Sequence, residues 1–187
     1  TEALGYPEVP GHLVVIGGGY IGLEMGSVWN RLGAKVTVLE ALDRILPEVD
    51  ADLAQAAKKV LERQGMSFRL SARVNRAYVE QDACIVECEG QEPIRCDRVL
   101  LAVGRVPVTD GLGVDEIGVT RDRKGFIGVD RSYATSVPGI YAVGDCIGQP
   151  MLAHKASDEA VACVEKLVTG YGHVNYDAIP GICYTEP

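Results

Sequence analysis

Three glycines near the start of the sequence have the spacing of a loop that binds a diphosphate. Gly17, Gly19 and Gly22 form the pattern G-x-G-x-x-G within "GGGYIG". In such a loop the first glycine allows a tight turn, the second lets backbone N–H groups approach a pyrophosphate, and the third lets a helix pack closely on a strand. The positive end of the helix dipole also favours a bound diphosphate. The spacing therefore predicts a dinucleotide site, and the alternative is that these glycines are purely structural.

An acidic residue indicates which dinucleotide such a loop would bind. Glu40 follows Gly17 by a little over twenty residues and ends the second apolar run, "KVTVL". A carboxylate there can accept hydrogen bonds from both hydroxyls of an adenosine ribose and would repel a 2′-phosphate. The segment "EALDRILPE" contains one arginine among several acids. Glu40 therefore favours NAD over NADP, and an ordinary solvated glutamate is the alternative.

A second group of residues, late in the chain, indicates one wall of another ligand site. In "YAVGDCIGQPMLAHKA", an apolar run ends at Gly144 and Asp145. A loop follows, and residues 151–154 open a predicted helix whose N-terminal N–H groups would face a ligand. The pattern alone does not separate such a wall from a plain turn closed by Asp145.

The hydropathy pattern predicts the elements that would position the glycine loop. Residues 13–16, 20–32 and 35–39 are expected to form a strand, a helix and a second strand. Strand, glycine turn, helix and strand make a βαβ unit with a right-handed crossover. This is the context that the glycine pattern requires.

The rest of the chain continues as helices and strands. Asp50 is expected to cap a helix that ends at Gly65. Its apolar face is expected to consist of Leu53, Ala57, Val60 and Leu61. Strands are predicted over 66–70, 73–80, 83–89 and 98–104 and, after a loop-rich stretch, over 126–130 and 139–145. A hairpin turn is expected at Gln81 and Asp82, and a last helix over 152–168.

Composition agrees with an α/β fold and excludes some classes of function. Hydrophobic residues make up 47% of the 187 residues, aromatic residues only 6%, and there are 22 glycines, which favours sheets and helices joined by tight loops. The net charge of −8 argues against a nucleic-acid surface, which needs clustered lysine and arginine. No apolar run approaches the roughly 20 residues that span a bilayer.

The six cysteines form neither a CxxC motif nor a paired metal pattern, so no metal site is predicted. Cys84 and Cys88 lie four apart in a predicted strand, where they would be about 13 Å apart, too far for a disulfide. We interpret the cysteines as buried thiols in a reducing compartment.

The motifs together resemble those of the dihydrolipoyl dehydrogenases, a group of flavoprotein disulfide reductases. The segments that carry the resemblance are "GGGYIGLEMGSVWNRLGAKVTVLE", "LLAVGRVP", "GIYAVGD" and "PMLAHKA", in that order. The resemblance covers essentially the whole chain. It implies a Rossmann-like, three-layer ββα fold that binds FAD and NAD, with part of the adjoining FAD domain. It also implies oxidation of protein-bound dihydrolipoamide with reduction of NAD.

The resemblance implies a set of NAD-binding residues. These are Gly17, Gly18, Gly19, Tyr20, Ile21, Gly22, Leu23, Glu24, Glu40, Val74 and Gly104. Tyr20 matches an aromatic residue that covers the nicotinamide side of the flavin. Glu24 matches a carboxylate that pairs with a lysine beside the redox disulfide. Val74 and Gly104 match positions that line the dinucleotide.

The resemblance also assigns the second group of residues to FAD. Asp145 matches an acid that hydrogen-bonds the ribityl chain of the flavin. Met151, Leu152, Ala153 and His154 match the helix start beneath the isoalloxazine ring, where a helix N-terminus stabilises negative charge on the reduced flavin. We do not expect His154 to be the catalytic base, which the family places near its C-terminus.

Three parts of the family pattern do not occur in this sequence: a CxxxxC redox pair, a second glycine fingerprint for FAD, and the His–Glu base pair. We therefore expect no catalytic residue in this chain and interpret it as an internal fragment, inactive when isolated. The expected divisions are a linker (1–10), an NAD-binding domain (11–106), the end of the FAD domain (107–177) and the start of a dimerisation domain (178–187).

The resemblance further implies the partners of a longer parent enzyme. These would be lipoyl domains of 2-oxoacid dehydrogenase or glycine cleavage complexes and a second copy in a homodimer, with no nucleic acid or membrane. Such an enzyme would lie in the bacterial cytoplasm or the mitochondrial matrix, which the chain does not distinguish. Two alternatives stay open: a stand-alone NAD-binding module, and another disulfide reductase of the glutathione or mercuric reductase type.

Overall fold

The computed structural model describes residues 2–186, which divide into two compact units. The first unit contains the residues up to Gly104 together with those from Gly181 onward. The second unit runs from Arg105 to Pro180. Within the described residues, no helix has the length and apolar character needed to cross a membrane.

A parallel four-stranded sheet forms the centre of the first unit. Its strands are β1 (His12–Ile16), β2 (Lys35–Leu39), β3 (Ser67–Arg69) and β7 (Arg98–Leu101), in the order β3-β2-β1-β7. The side chains of Leu13, Val14 and Val15 are fully buried, as expected for a strand covered on both faces. Parallel strands joined through helices confirm the expected α/β, Rossmann-like fold.

Two helices of this unit follow the predicted positions. Helix α1 (Tyr20–Arg31) joins β1 to β2, and α2 (Ala51–Arg63) precedes β3. The Asp50 side chain caps α2 by accepting a hydrogen bond from the Asp52 N–H at 3.0 Å. One prediction is wrong: Leu53 is 63% exposed. Ala54 takes the buried position instead, because it lies seven residues, about two turns, before the buried Leu61.

An antiparallel three-stranded sheet lies between β3 and β7 in the chain. It consists of β4 (Val74–Glu80), β5 (Ala83–Cys88) and β6 (Ile94–Cys96). The hairpin at Gln81 is confirmed, and Gln81 adopts a positive φ of 55° there. The sequence did not predict β6, which is too short to show a clear alternation.

The second unit contains α3 (Ala153–Thr169), which ends at Gly170 in the left-handed conformation as expected. The two predicted strands in this unit are wrong. Residues 126–130 and 139–145 each contribute only one isolated bridge. The reason is that their backbones bond to several different segments, so no continuous ladder forms: Ile127 N–H donates to Cys146, whereas Gly128 N–H donates to Thr120.

Candidate functional site

Two of the three motif glycines are required by the fold itself. Gly17 has a φ of +109°, and a Cβ there would lie 2.2 Å from the carbonyl oxygen of Ala102. A Cβ on Gly22 would lie 2.1 Å from the carbonyl oxygen of Gly17. Both distances are far below contact, so any larger residue forces the backbone to move. These two glycines therefore support the tight turn and the close helix packing that the motif predicted.

Gly19 lies in open space by contrast. A Cβ there would meet no atom of the described residues within 4 Å. Gly19 is also the N-cap of α1, and no described side chain caps that helix. The first helical bond runs from Leu23 N–H to the Gly19 carbonyl, so the N–H groups of residues 20–22 lack an acceptor within the helix. The result is an open cradle of backbone donors that suits an anionic oxygen.

Glu40 borders the same cradle. Its Oε2 accepts a hydrogen bond from Gly18 N–H at 2.6 Å, and its Oε1 accepts one from Leu42 N–H at 2.8 Å. These bonds fix the carboxylate at the carboxyl end of β2. A carboxylate has about four lone-pair positions, so two bonds leave acceptors for ribose hydroxyls. The structure thus brings Glu40 and the glycine loop together, as the sequence predicted.

The remaining predicted residues of the loop differ in accessibility. Ile21 is 41% exposed, whereas Leu23 is fully buried in the core, so only the backbone of Leu23 can contact a ligand. Val74 starts β4 and packs against the core cluster around Val14. Gly104 has a φ of +126° and is the residue at which the chain leaves the first unit.

The segment 181–186 packs against the first turns of α1. Tyr184 N–H donates to Glu24 Oε1 at 2.8 Å, and Cys183 packs against the same core cluster as Tyr20. A Cβ on Gly181 would lie 2.8 Å from the Tyr20 hydroxyl. Burial raises the pKa of Cys183 to about 11 and also raises the pKa of Tyr20. The structure therefore places Tyr20 and Glu24 beside this segment, a contact that the sequence did not predict.

In the second unit, the Gly-Asp corner is a single turn of 3₁₀ helix at Gly144–Cys146. Gly144 has a φ of +79°, and a Cβ there would lie 3.0 Å from the Ala156 Cβ of α3. Asp145 points outward, with 44% of its side chain exposed and the Arg105 guanidinium 3.9 Å away. The corner is therefore fixed by its backbone while its carboxylate stays available.

A buried ion pair holds this corner on α3, and sequence reasoning missed it. Lys155 Nζ lies 3.1 Å from Glu159 Oε1. Lys155 also donates to the carbonyl oxygens of Gly144 and Gly148 at 3.2 and 3.1 Å. Glu159 Oε2 accepts from Gly144 N–H at 2.7 Å. The spacing i, i+4 on the buried face of a helix was the available signal.

An aromatic pair completes this network. The hydroxyl of Tyr176 donates to Glu159 Oε1 at 2.8 Å and lies 3.3 Å from the hydroxyl of Tyr133. Burial raises the pKa of Tyr176, and its hydrogen bonds to Tyr133 and Glu159 raise it further. Because both side chains of the ion pair are at most 2% exposed, these partners satisfy charges that water does not reach.

The start of α3 is open in the same sense as the start of α1. Leu152 is its N-cap, and no described side chain caps the helix. Met151 N–H donates to Gln149 Oε1 at 3.2 Å. His154 Nε2 donates to the Pro180 carbonyl at 2.9 Å, so that nitrogen carries a proton. The predicted residues 151–154 thus surround a helix N-terminus that no described side chain caps.

Within residues 2–186, no group of three or more His, Cys, Asp or Glu side chains is arranged to hold a metal ion. The arrangement described above offers backbone donors and carboxylate acceptors instead. Backbone donors at a helix N-terminus can bind a phosphate group, and carboxylates can accept hydrogen bonds from sugar hydroxyls.

Known proteins resemble this chain along its whole length. The family model described as pyridine nucleotide-disulphide oxidoreductase matches residues 1–160. Dihydrolipoyl dehydrogenase 3 of Pseudomonas putida is 47% identical over an alignment that covers 100% of this chain and 41% of the relative. Leghemoglobin reductase of Glycine max is 48% identical, with coverage of 100% and 37%. The chain thus spans about two fifths of the length of the curated relatives it matches.

Solved structures have the same fold. The HOCl-induced flavoprotein disulfide reductase RclA of Escherichia coli matches with a TM-score of 0.84 and 32% identity over 96% of this chain and 41% of that one. LpdA of Mycobacterium tuberculosis matches with a TM-score of 0.85 and 29% identity over 96% of this chain and 39% of that one.

Proposed function

The chain belongs to the pyridine nucleotide-disulphide oxidoreductase family, and we propose that it forms the NAD-binding part and one wall of the flavin site of a dihydrolipoyl dehydrogenase. The observation that carries this proposal is the open cradle at Gly19, bordered by the Glu40 carboxylate. Identity near 47% with curated dihydrolipoyl dehydrogenases along the whole chain supports the choice of reaction.

The NAD site consists of this chain's own backbone and one carboxylate. The N–H groups at the start of α1 would hold the pyrophosphate, and the Glu40 oxygens would accept the adenosine ribose hydroxyls. A 2′-phosphate would meet the Glu40 charge, which favours NAD over NADP. Residues 17–24, Val74 and Gly104 would surround the dinucleotide.

The residues of the second unit fit the flavin part of an FAD. Asp145 offers an exposed carboxylate that can accept hydrogen bonds from ribityl hydroxyls. The open N-terminus of α3, at Met151, Leu152, Ala153 and His154, can stabilise negative charge on the pyrimidine end of the ring. When bound, FAD supplies the two-electron chemistry between a dithiol and NAD. The ion pair under Gly144 holds the corner that carries Asp145 in place.

The parent enzyme would oxidise protein-bound dihydrolipoamide and reduce NAD. Its partners would be the lipoyl domains of 2-oxoacid dehydrogenase or glycine cleavage complexes, and it would act as a homodimer. The relatives include a bacterial enzyme and a mitochondrial one, and the parent would act in the bacterial cytoplasm or in the mitochondrial matrix. The 187 residues contain no CxxxxC pair, so we propose that the chain alone has no turnover.

A titration with two nucleotides tests the NAD proposal. NADH should bind the wild-type chain and NADPH should bind it more weakly, as measured by calorimetry. Glu40→Gln removes the charge at nearly the same size, and we expect it to weaken NADH binding at least tenfold, since a hydrogen bond to a charged group contributes about 1.5–3 kcal/mol. Because the Gln amide NH2 would face the N–H of Gly18 or Leu42, the melting temperature of this variant is compared with that of the wild type. Glu40→Gln should also reduce the preference for NADH over NADPH.

Glu8→Gln is the matched control, because Glu8 is an exposed residue of the N-terminal lead-in. Glu8→Gln should bind NADH and NADPH with the same affinities as the wild type. Equal affinity for NADH and NADPH in the wild-type chain would contradict the assignment of Glu40, and no binding of either nucleotide would contradict the NAD site itself.

A further inference from the structure

Two cysteines face each other across neighbouring strands of the antiparallel sheet. Cys84 on β5 is paired directly with Cys96 on β6. Residues directly opposite in an antiparallel pair point to the same face of the sheet, with Cα atoms about 4.5–5.5 Å apart. A disulfide needs Cα atoms about 4.4–6.8 Å apart. The register therefore meets the Cα-distance requirement for a cross-strand disulfide.

The side chains confirm the shared face. Cys96 is buried in the core cluster around Val14, and Cys84 packs against that same cluster. The Cys84 Sγ also lies 3.7 Å from the carbonyl oxygen of Asp97, the residue that follows Cys96. The thiol of Cys84 is thus directed toward the end of β6, where its partner lies. Both residues are free thiols in the structure.

The two thiols differ in their access to solvent. Cys84 is partly exposed, whereas Cys96 is only 3% exposed. Burial raises the pKa of Cys96 to about 11, and the neighbouring Cys84 contributes to that rise. An oxidant from solution therefore reaches Cys84 first. Cys96 is then positioned to react with the sulfur of Cys84 rather than with solvent.

We propose that Cys84 and Cys96 form an oxidation-sensitive dithiol site, which a small-molecule disulfide such as oxidised glutathione converts to a cross-strand disulfide. This site is separate from the cofactor chemistry proposed above and does not depend on it. The end of β6 is anchored beside the pair, because the Asp97 carboxylate accepts a hydrogen bond from His12 N–H at 2.7 Å.

The reaction consists of two exchange steps. In the first, the Cys84 thiolate attacks one sulfur of oxidised glutathione, the glutathione S–S bond breaks, and one glutathione leaves and takes up the proton that Cys84 lost. In the second, the Cys96 thiolate attacks the Cys84 sulfur, the mixed disulfide breaks, and the second glutathione leaves with the proton from Cys96. Two protein thiols are oxidised and one glutathione disulfide is reduced to two thiols.

Peptide mapping by mass spectrometry tests this proposal on the 187-residue chain. The reduced chain is incubated with oxidised glutathione, remaining thiols are alkylated, and the chain is cleaved after arginine and after glutamate. Cleavage after Arg95 separates Cys96 from both other cysteines of this sheet, and cleavage after Glu87 separates Cys84 from Cys88. We expect a linked pair of peptides that contain Cys84 and Cys96. Its mass should be lower by two hydrogen atoms than the sum of the two reduced peptides, and it should carry no glutathione.

Two variants sharpen the result. Cys88→Ser should leave the linked pair unchanged, because Cys88 lies opposite Val74 and not opposite Cys96. Cys96→Ser should stop the reaction at the first step, with one glutathione retained on Cys84. Stable glutathione on Cys84 in the wild-type chain, a link to Cys88, or unmodified Cys84 would each overturn the proposal. Because the wild-type map decides the question, the proposal is tested even if a variant does not fold.

Discussion

Gly19 and Gly22 lie in one loop, but a side chain would meet very different surroundings at the two positions. At Gly22 a Cβ would collide with the Gly17 carbonyl, whereas at Gly19 it would meet nothing among the described residues. The fold therefore requires Gly22, and it leaves Gly19 free of any packing constraint from those residues. Open space at an N-cap that no described side chain caps agrees with the pyrophosphate position proposed above.

The first prediction concerns Gly22. Gly22→Ala should lower the free energy of unfolding by about 1–3 kcal/mol, because the added methyl forces the start of α1 away from the loop. Gly5→Ala is the matched control, since Gly5 has an allowed backbone and open space around it, and should change stability by less than about 0.5 kcal/mol. Urea unfolding measures both, and equal stabilities would contradict the steric argument.

Individual residues were predictable where their role depends on local sequence. The spacing of the glycines and the position of Glu40 after β2 were sufficient to predict that they meet. The motif predicted a tight turn at Gly17 and close helix packing at Gly22, but it did not indicate that the atom excluding a side chain at Gly17 belongs to Ala102, just after β7. It also did not indicate that Leu23 is buried.

At the scale of elements, the helix α3 combines an open N-terminus with a buried ion pair on its inner face. Lys155 and Glu159 bind the backbone of Gly144 from both sides, since Lys155 donates to its carbonyl and Glu159 accepts from its N–H. This arrangement ties the Gly-Asp corner to the helix. The orientation of the proposed flavin ligand Asp145 therefore depends on two side chains that do not need to touch the cofactor.

The second prediction follows from this pair. Lys155→Met should destabilise the second unit by about 3–5 kcal/mol, because it leaves the Glu159 charge buried without its cation. Lys166→Met, in the last turn of the same helix and not in the network, should change stability by less than about 0.5 kcal/mol. Thermal unfolding followed by circular dichroism measures both variants. Equal melting temperatures would show that the ion pair contributes little.

Helices were predictable from the sequence, and parts of the sheet regions were not. The ends of α2 and α3 follow from local signals, namely the Asp50 cap and the left-handed Gly170. The strands expected at 126–130 and 139–145 did not form, because a ladder depends on which neighbour is available. The burial of Lys155 was not predicted, because the i, i+4 spacing to Glu159 occurs equally on solvated helix faces.

At the scale of the whole molecule, the chain consists of two units and spans about two fifths of the length of its curated relatives. Residues 181–186 join the first unit, and their proposed role as the start of a dimerisation domain stays a prediction. The same holds for the other domain boundaries. The sequence resemblance predicted the family and the fold, because its motifs extend over both units.

The third prediction concerns activity. The purified 187-residue chain should not turn over dihydrolipoamide with NAD, even with FAD added, because it contains no CxxxxC redox pair to receive the electrons from the substrate. Formation of NADH, followed by its absorbance, measures this. A full-length dihydrolipoyl dehydrogenase in the same assay serves as the positive control. Turnover by the chain itself would require a different route for the electrons.

The central claim is that the open cradle at Gly19 holds a dinucleotide. Calorimetric titration of NADH into the wild-type chain, Gly19→Ala and Gly5→Ala tests it most directly. A methyl group at Gly19 would meet no described atom but would occupy the space proposed for the pyrophosphate. Gly19→Ala should therefore lower stability by no more than about 1 kcal/mol and lose at least tenfold in NADH affinity, about 1.4 kcal/mol, while Gly5→Ala binds normally. Wild-type affinity in a stable Gly19→Ala chain would contradict the claim.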